Sequence, residues 1–112
     1  MTVQIPQLFG ETPNKIVSVS SRSEGLERYI WYLRNKDEIG LHIKLEPNAD
    51  NWLIEFHTVE WNGKDYIEDN KPIFRSMSED YESAIKQTRK EVKSICEEKK
   101  ELNYIAKALE NL

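Results

Sequence analysis

The chain has one cysteine, Cys96, among 112 residues. A single thiol closes no internal disulfide, which disfavours a secreted scaffold stapled by bridges, and a reducing, cytoplasmic setting is expected. The four glycines, Gly10, Gly25, Gly40 and Gly63, are isolated from one another, so no glycine-rich phosphate loop exists. No apolar stretch approaches the ~20 residues of a membrane-spanning helix. The opening residues have neither the basic start nor the apolar run of a secretory leader. Basic charge is also short, with 16 Lys and Arg against 20 Asp and Glu and a net charge of −4. No bulk field draws this chain to nucleic acid or an anionic membrane. Catalytic signatures are missing too. No H-E-x-x-H or C-x-x-C spacing occurs, and no carboxylate pair stands out for acid–base work. Neither an enzymatic activity nor a metal or cofactor is expected.

Glycine and proline are absent from Ser76 to Leu112, whereas aromatic and β-branched residues crowd the stretch before it. That switch predicts an α+β fold: an antiparallel β-meander of three to five strands, packed on one face by a long C-terminal helix. One domain, 1–112, is expected at this length. Residues 1–14, with Pro6, Pro13 and Gly10, read as an extended arm lying on the body. Lys15 to Ser20 reads as a short strand and Ser20 to Gly25 as a loop. Leu26 to Arg34 fits a helical stripe or a strand, and Tyr29-Ile-Trp-Tyr32 favours the strand.

The hairpins that follow permit a register. Leu41, Ile43 and Leu45 alternate with His42, Lys44 and Glu46. Matching apolar faces pairs Leu41 with Thr58, Ile43 with Phe56 and Leu45 with Ile54, and sets His42 opposite His57. Asn62-Gly63 reads as a two-residue type I′ turn, which pairs Trp61 with Lys64, Val59 with Tyr66, Thr58 with Ile67 and His57 with Glu68. Leu41, Ile43, Leu45, Ile54, Phe56 and Ile67 form the expected core face. Val59, Trp61 and Tyr66 fall on the other.

The helix is expected over 76–112, with Ser76-x-x-Glu79 as a capping box. Tyr81, Ile85, Thr88, Val92, Ile95, Lys99, Leu102, Ala106 and Leu109 step by four and three, a heptad rhythm. Lys99 is its one misfit, within Glu97-Glu-Lys-Lys-Glu101, where the helix is expected to overrun the sheet or to bend. About 34 residues at 1.5 Å each would span ~50 Å, far longer than a typical strand. Leu102, Ile105, Leu109 and Leu112 are therefore expected to seek a second copy and form a homodimer.

Three features bear on function. The histidine pair, with Glu55 and Glu68 nearby, is read as a solvated sheet face in which adjacent imidazoles resist joint protonation. Cys96 is read as a buried structural thiol, because Glu97 and Glu98 raise rather than lower its pKa. The aromatic set is the strongest lead: Trp31, Trp61 and Tyr66, with Val59, are expected to form an outward sheet surface for a protein partner. The expected function is that of a small acidic, non-enzymatic protein-binding module, such as a regulator, an inhibitor or an immunity- or phage-type accessory protein. The alternative is nucleic-acid binding. Lys86, Arg89, Lys90 and Lys93, spaced by three and four along one side of the helix, would contact phosphates while the aromatics stack on bases.

Overall fold

The computed structural model describes residues 18–24 and 28–109, with side chains from Arg28 onward. The fold is α+β. An antiparallel meander runs β1 (Ser18–Glu24), β2 (Arg28–Arg34), β3 (Gly40–Asn48), β4 (Asn51–Trp61) and β5 (Tyr66–Glu68). A further strand, β6 (Phe74–Ser78), returns along the other half of β4, so β5 and β6 share one edge of it. Two helices follow: α1 (Tyr81–Glu98) and, after a 3-10 turn at Lys100–Leu102, α2 (Asn103–Leu109). The expected arm at 1–14 lies outside the described residues.

Of the stretch Leu26 to Arg34, Arg28–Arg34 is the strand that the aromatic run favours, and Leu26 and Glu27 lie outside the described residues. Of the loop expected over Ser20 to Gly25, residues Ser20 to Glu24 belong instead to β1, paired with β2, and Gly25 lies outside the described residues. The β3–β4 register agrees with the expectation, including Leu41↔Thr58, Ile43↔Phe56 and Leu45↔Ile54. Two apolar faces that must both point inward leave only one alignment.

The β4–β5 register differs by two residues. Trp61 pairs with Tyr66, Glu60 with Ile67 and Val59 with Glu68. The cause is the Asn62 side chain. Its Oδ1 accepts from the Lys64 and Asp65 backbone N–H groups at 2.9 and 2.8 Å, and the Asn62 N–H donates to the Asp65 carbonyl. This Asx closure draws four residues into the loop. Only Gly63 takes positive φ there, at 99°, so the type I′ turn does not form.

The helices cover the Leu41, Ile43 and Phe56 face as expected. Leu33, Leu41, Ile43, Leu45, Ile54 and Phe56 meet Ala84, Ile85, Val92, Ile95, Cys96, Leu102, Ile105 and Leu109 in one core. Complete burial of each large member contributes roughly 1.5–3 kcal/mol. Ile67 shares the parity of this face but is 54% exposed, because the four-residue loop carries it past the core residues it was expected to join.

The helix does not begin at the serines. Ser76 and Ser78 belong to β6, where their hydroxyls hold the Gln87 amide: Ser78 Oγ donates to Oε1 at 2.7 Å and Gln87 Nε2 donates to Ser76 Oγ at 3.0 Å. Asp80 caps instead, its carboxylate accepting from the Ser83 N–H at 2.8 Å. Those bonds hold its pKa below the ordinary aspartate value. The single helix expected over 76–112 is broken at Lys99, which is extended at φ −91° and ψ 120°. Its N–H still donates to the Ile95 carbonyl, and its own carbonyl accepts from Leu102. The bend folds α2 back onto the core.

Candidate partner-binding face

The sheet face opposite the helices carries a chain of polar contacts laid over the cross-strand pairs. His42 and His57 are partners across β3 and β4, as the register requires. His42 Nδ1 donates to Glu68 Oε1 at 2.8 Å, while its Nε2 accepts from Arg34 Nη1 at 2.8 Å. A guanidinium only donates and a carboxylate only accepts, so His42 is the neutral Nδ1–H tautomer. Burial lowers its pKa below 6.5, with the nearby Arg34 and Lys44 charges acting in the same direction and Glu68 opposing them. Glu68 Oε2 accepts from Lys44 Nζ at 2.7 Å. Burial pushes the Glu68 carboxyl up, but the bonds from Lys44 and His42 outweigh it and hold the group below its ordinary value.

His57 is bonded differently. Its Nδ1 faces the Asp69 carbonyl and its Nε2 faces Glu55 Oε1, both at 2.9 Å. Both partners are acceptors, whereas His42 meets one donor and one acceptor. Arg75 Nε closes on the other Glu55 oxygen at 3.2 Å. The neighbouring imidazoles thus have different partners, and at 5% exposure each they are buried rather than on the solvated face expected. Every imidazole nitrogen of His42 and His57 has a hydrogen-bond partner. Among the described residues no three His, Cys, Asp or Glu side chains gather as metal ligands.

Beyond this network lies an aromatic corner. Trp61 and Tyr66, cross-strand partners, stack edge to face at a centroid distance of 4.8 Å. The Arg34 guanidinium lies 3.9 Å from the Tyr66 ring centre and 4.5 Å from that of Tyr32. Lys36 Nζ stands 4.7 Å from the Trp61 ring centre. Each such contact contributes ~0.5–2 kcal/mol, the larger value when water is excluded. Arg34 reaches this position because β3 begins with a glycine. A Cβ on Gly40 would stand 2.6 Å from Arg34 Cβ and 2.8 Å from the Leu33 carbonyl oxygen.

The other expected site residues are distributed differently. Trp31 pairs with Ile43 and lies on the helix-covered face, 3% exposed, so it is core rather than a contact for a partner. Val59 is on the outer face but only 1% exposed, leaving Trp61 and Tyr66 as the half-exposed members of the set. Leu102, Ile105 and Leu109 are buried in the chain's own core, because the Lys99 bend supplies the partner that a straight helix would have lacked. Leu112 lies outside the described residues. Lys86, Arg89, Lys90 and Lys93 are exposed on α1, on the opposite side of the sheet from Trp61 and Tyr66. One nucleic-acid strand would have to wrap a sheet edge to touch both. Arg34 and Lys36 were not singled out from the sequence. The alternation Ile30, Tyr32, Arg34, which places a cation among outer-face aromatics, was the available signal.

Other candidate chemistry is muted. Cys96 is fully buried, and desolvation with the Glu97 charge pushes its thiol up to about 12. A cleft of about 560 Å³ beside the helix break is lined by both signs of charge, including Glu38, Glu97, Lys100, Glu101 and Lys107. Its Tyr104 hydroxyl donates to the Ile39 carbonyl at 2.7 Å, and burial raises the pKa of that phenol. No helix among the described residues is long and apolar enough to cross a membrane. No protein family, curated protein or solved structure matches this chain.

Proposed function

We propose that this protein is a non-enzymatic protein-binding module whose contact surface is the outer-face corner built from Trp61 and Tyr66. The observation that carries this reading is a pair of half-exposed rings clamped by Arg34 and Lys36 on the face the helices leave uncovered. Large aromatics and arginine dominate the energetics of protein interfaces. Rings already held by their neighbours lose little further freedom when a partner docks. A preformed patch of this kind suits a small regulator, inhibitor or accessory protein that acts by occupying another protein's surface.

The test is site-specific photo-crosslinking in native extract. A photoreactive side chain in place of Lys64, on the exposed loop between Trp61 and Tyr66, is expected to yield a discrete crosslinked band. The same side chain in place of Lys90, on exposed α1, is expected to yield none. Crosslinking from Lys90 alone would contradict the proposal.

A further inference from the structure

We infer that the Arg34–Lys36 corner receives an acidic side chain of the protein partner, flanked on the partner by an apolar or aromatic residue that rests on Trp61 and Tyr66. This inference rests on the proposed binding role and specifies the chemistry of what is bound. Its basis is a pair of cations at the corner that touch no carboxylate among the described residues. The outer-face cations Lys44 and Arg75 each contact a carboxylate, Glu68 and Glu55 respectively, and Arg28 contacts Glu46. Arg34 and Lys36 contact none among the described residues. Glu68, which shares His42 with Arg34, already spends its two oxygens on His42 and Lys44.

Arg34 carries five N–H donors in a fixed fork. One N–H of Nη1 is used on His42 Nε2. The remaining donors have no hydrogen-bond partner among the described residues, while the guanidinium carbon lies over the Tyr32 and Tyr66 rings. A guanidinium already held by two rings and one hydrogen bond, with donors to spare, is prepared for contact with a carboxylate. Lys36 adds a second charge over the adjoining ring. A partner that buries Trp61 and Tyr66 also takes both cations out of water. An uncompensated buried charge opposes binding strongly, so the matching partner must bring the opposite sign. A polyphosphate backbone fits less well than a single acidic group, because Glu55 and Glu68 interrupt the positive charge on this same face.

The test uses the full ¹⁵N-labelled chain and four probes: the capped peptide Ac-Trp-Asp-Glu-Phe-NH₂, its Asn/Gln counterpart, its Lys/Lys counterpart, and a ten-residue oligo-dT. The readouts are the Arg34 Nε–H and Trp61 Nε1–H resonances. The acidic peptide is expected to shift both saturably, with affinity about tenfold above that of the amide peptide, and the basic peptide is expected to shift neither. Lys36→Glu lies on an exposed turn and preserves folding; it should abolish the preference for the acidic peptide. Arg34→Lys keeps the charge without the fork and should weaken it. Equal affinity for the acidic and amide peptides, tighter binding of oligo-dT, or no shift from any probe would overturn the inference. Crosslinking from position 64 in the same preparation reports separately on the binding role, so failure of the acidic preference is distinguishable from failure of that role.

Discussion

Thr88 shows at the scale of one side chain how far pattern and chemistry can diverge. It holds a stripe position on α1 and is fully buried, yet its hydroxyl oxygen has no hydrogen-bond partner among the described residues. A buried hydroxyl left unpaired costs about 1–3 kcal/mol, and valine has nearly the same shape and helix propensity. Thr88→Val is therefore expected to raise stability by roughly 1 kcal/mol, read as a higher urea midpoint at unchanged slope. A lower midpoint would mean that the hydroxyl is satisfied in solution. The faces of individual residues were legible where apolar and polar residues alternate, as in Leu41 to Glu46. They were not legible in β2, where Tyr29, Trp31 and Leu33 on one side and Ile30 and Tyr32 on the other are all apolar or aromatic. Either set could have faced the helices. Only pairing with β3 places Trp31 inside, and the same ambiguity hid Arg34 among the outer-face aromatics.

Elements were most predictable where local geometry admits one solution. The β3–β4 ribbon is the clearest case. The β4–β5 ribbon was not, because an Asn side chain that captures two backbone N–H groups competes with the tight turn that Asn-Gly favours. The start of α1 was misplaced for a related reason: Ser76, Ser78 and Asp80 are all good caps, and only the pairing of β6 with β4 removes the serines from contention. Lys99 stood out in the heptad rhythm, but sequence spacing does not say in which direction a broken helix turns. That direction decides the role of Ile105, which is fully buried in the core. Ile105→Ala should cost about 2–5 kcal/mol, as for other large-to-small core changes, with a denaturation midpoint independent of protein concentration. A midpoint that rises with concentration, together with a mass above 13.2 kDa in light scattering, would instead place Ile105 at a contact between copies.

The whole molecule divides its work between two sheet faces, one committed to the core and one to polar contacts and a clamped aromatic corner. His42 and Glu68 on the polar face each give the molecule's stability a pH dependence whose sign follows from the direction of the shift. His42 has a folded pKa below 6.5, so the unfolded chain takes up a proton first as pH falls. Its contribution is complete above about pH 6.5 and is lost as pH drops through the folded value. Glu68, held below 4.5, has the same sign and adds a second loss at lower pH. Thermal melts from pH 8 to pH 4 should show a melting temperature that is flat above about pH 7 and falls below it. His42→Gln, which can still accept from Arg34 and donate to Glu68, should flatten the first part of that fall. A melting temperature that rises on acidification would contradict the tautomer assigned here.

The most direct measurement of the two-face account is quantitative capture of binding proteins from native extract by three immobilised forms of the full chain: wild type, Trp61→Ala, and a helix-face variant carrying Lys86→Glu and Lys90→Glu. The account predicts that one set of proteins is retained equally by the wild type and the helix-face variant and is lost, by at least about tenfold, from Trp61→Ala. Retention that survives Trp61→Ala but disappears with the α1 substitutions would contradict it.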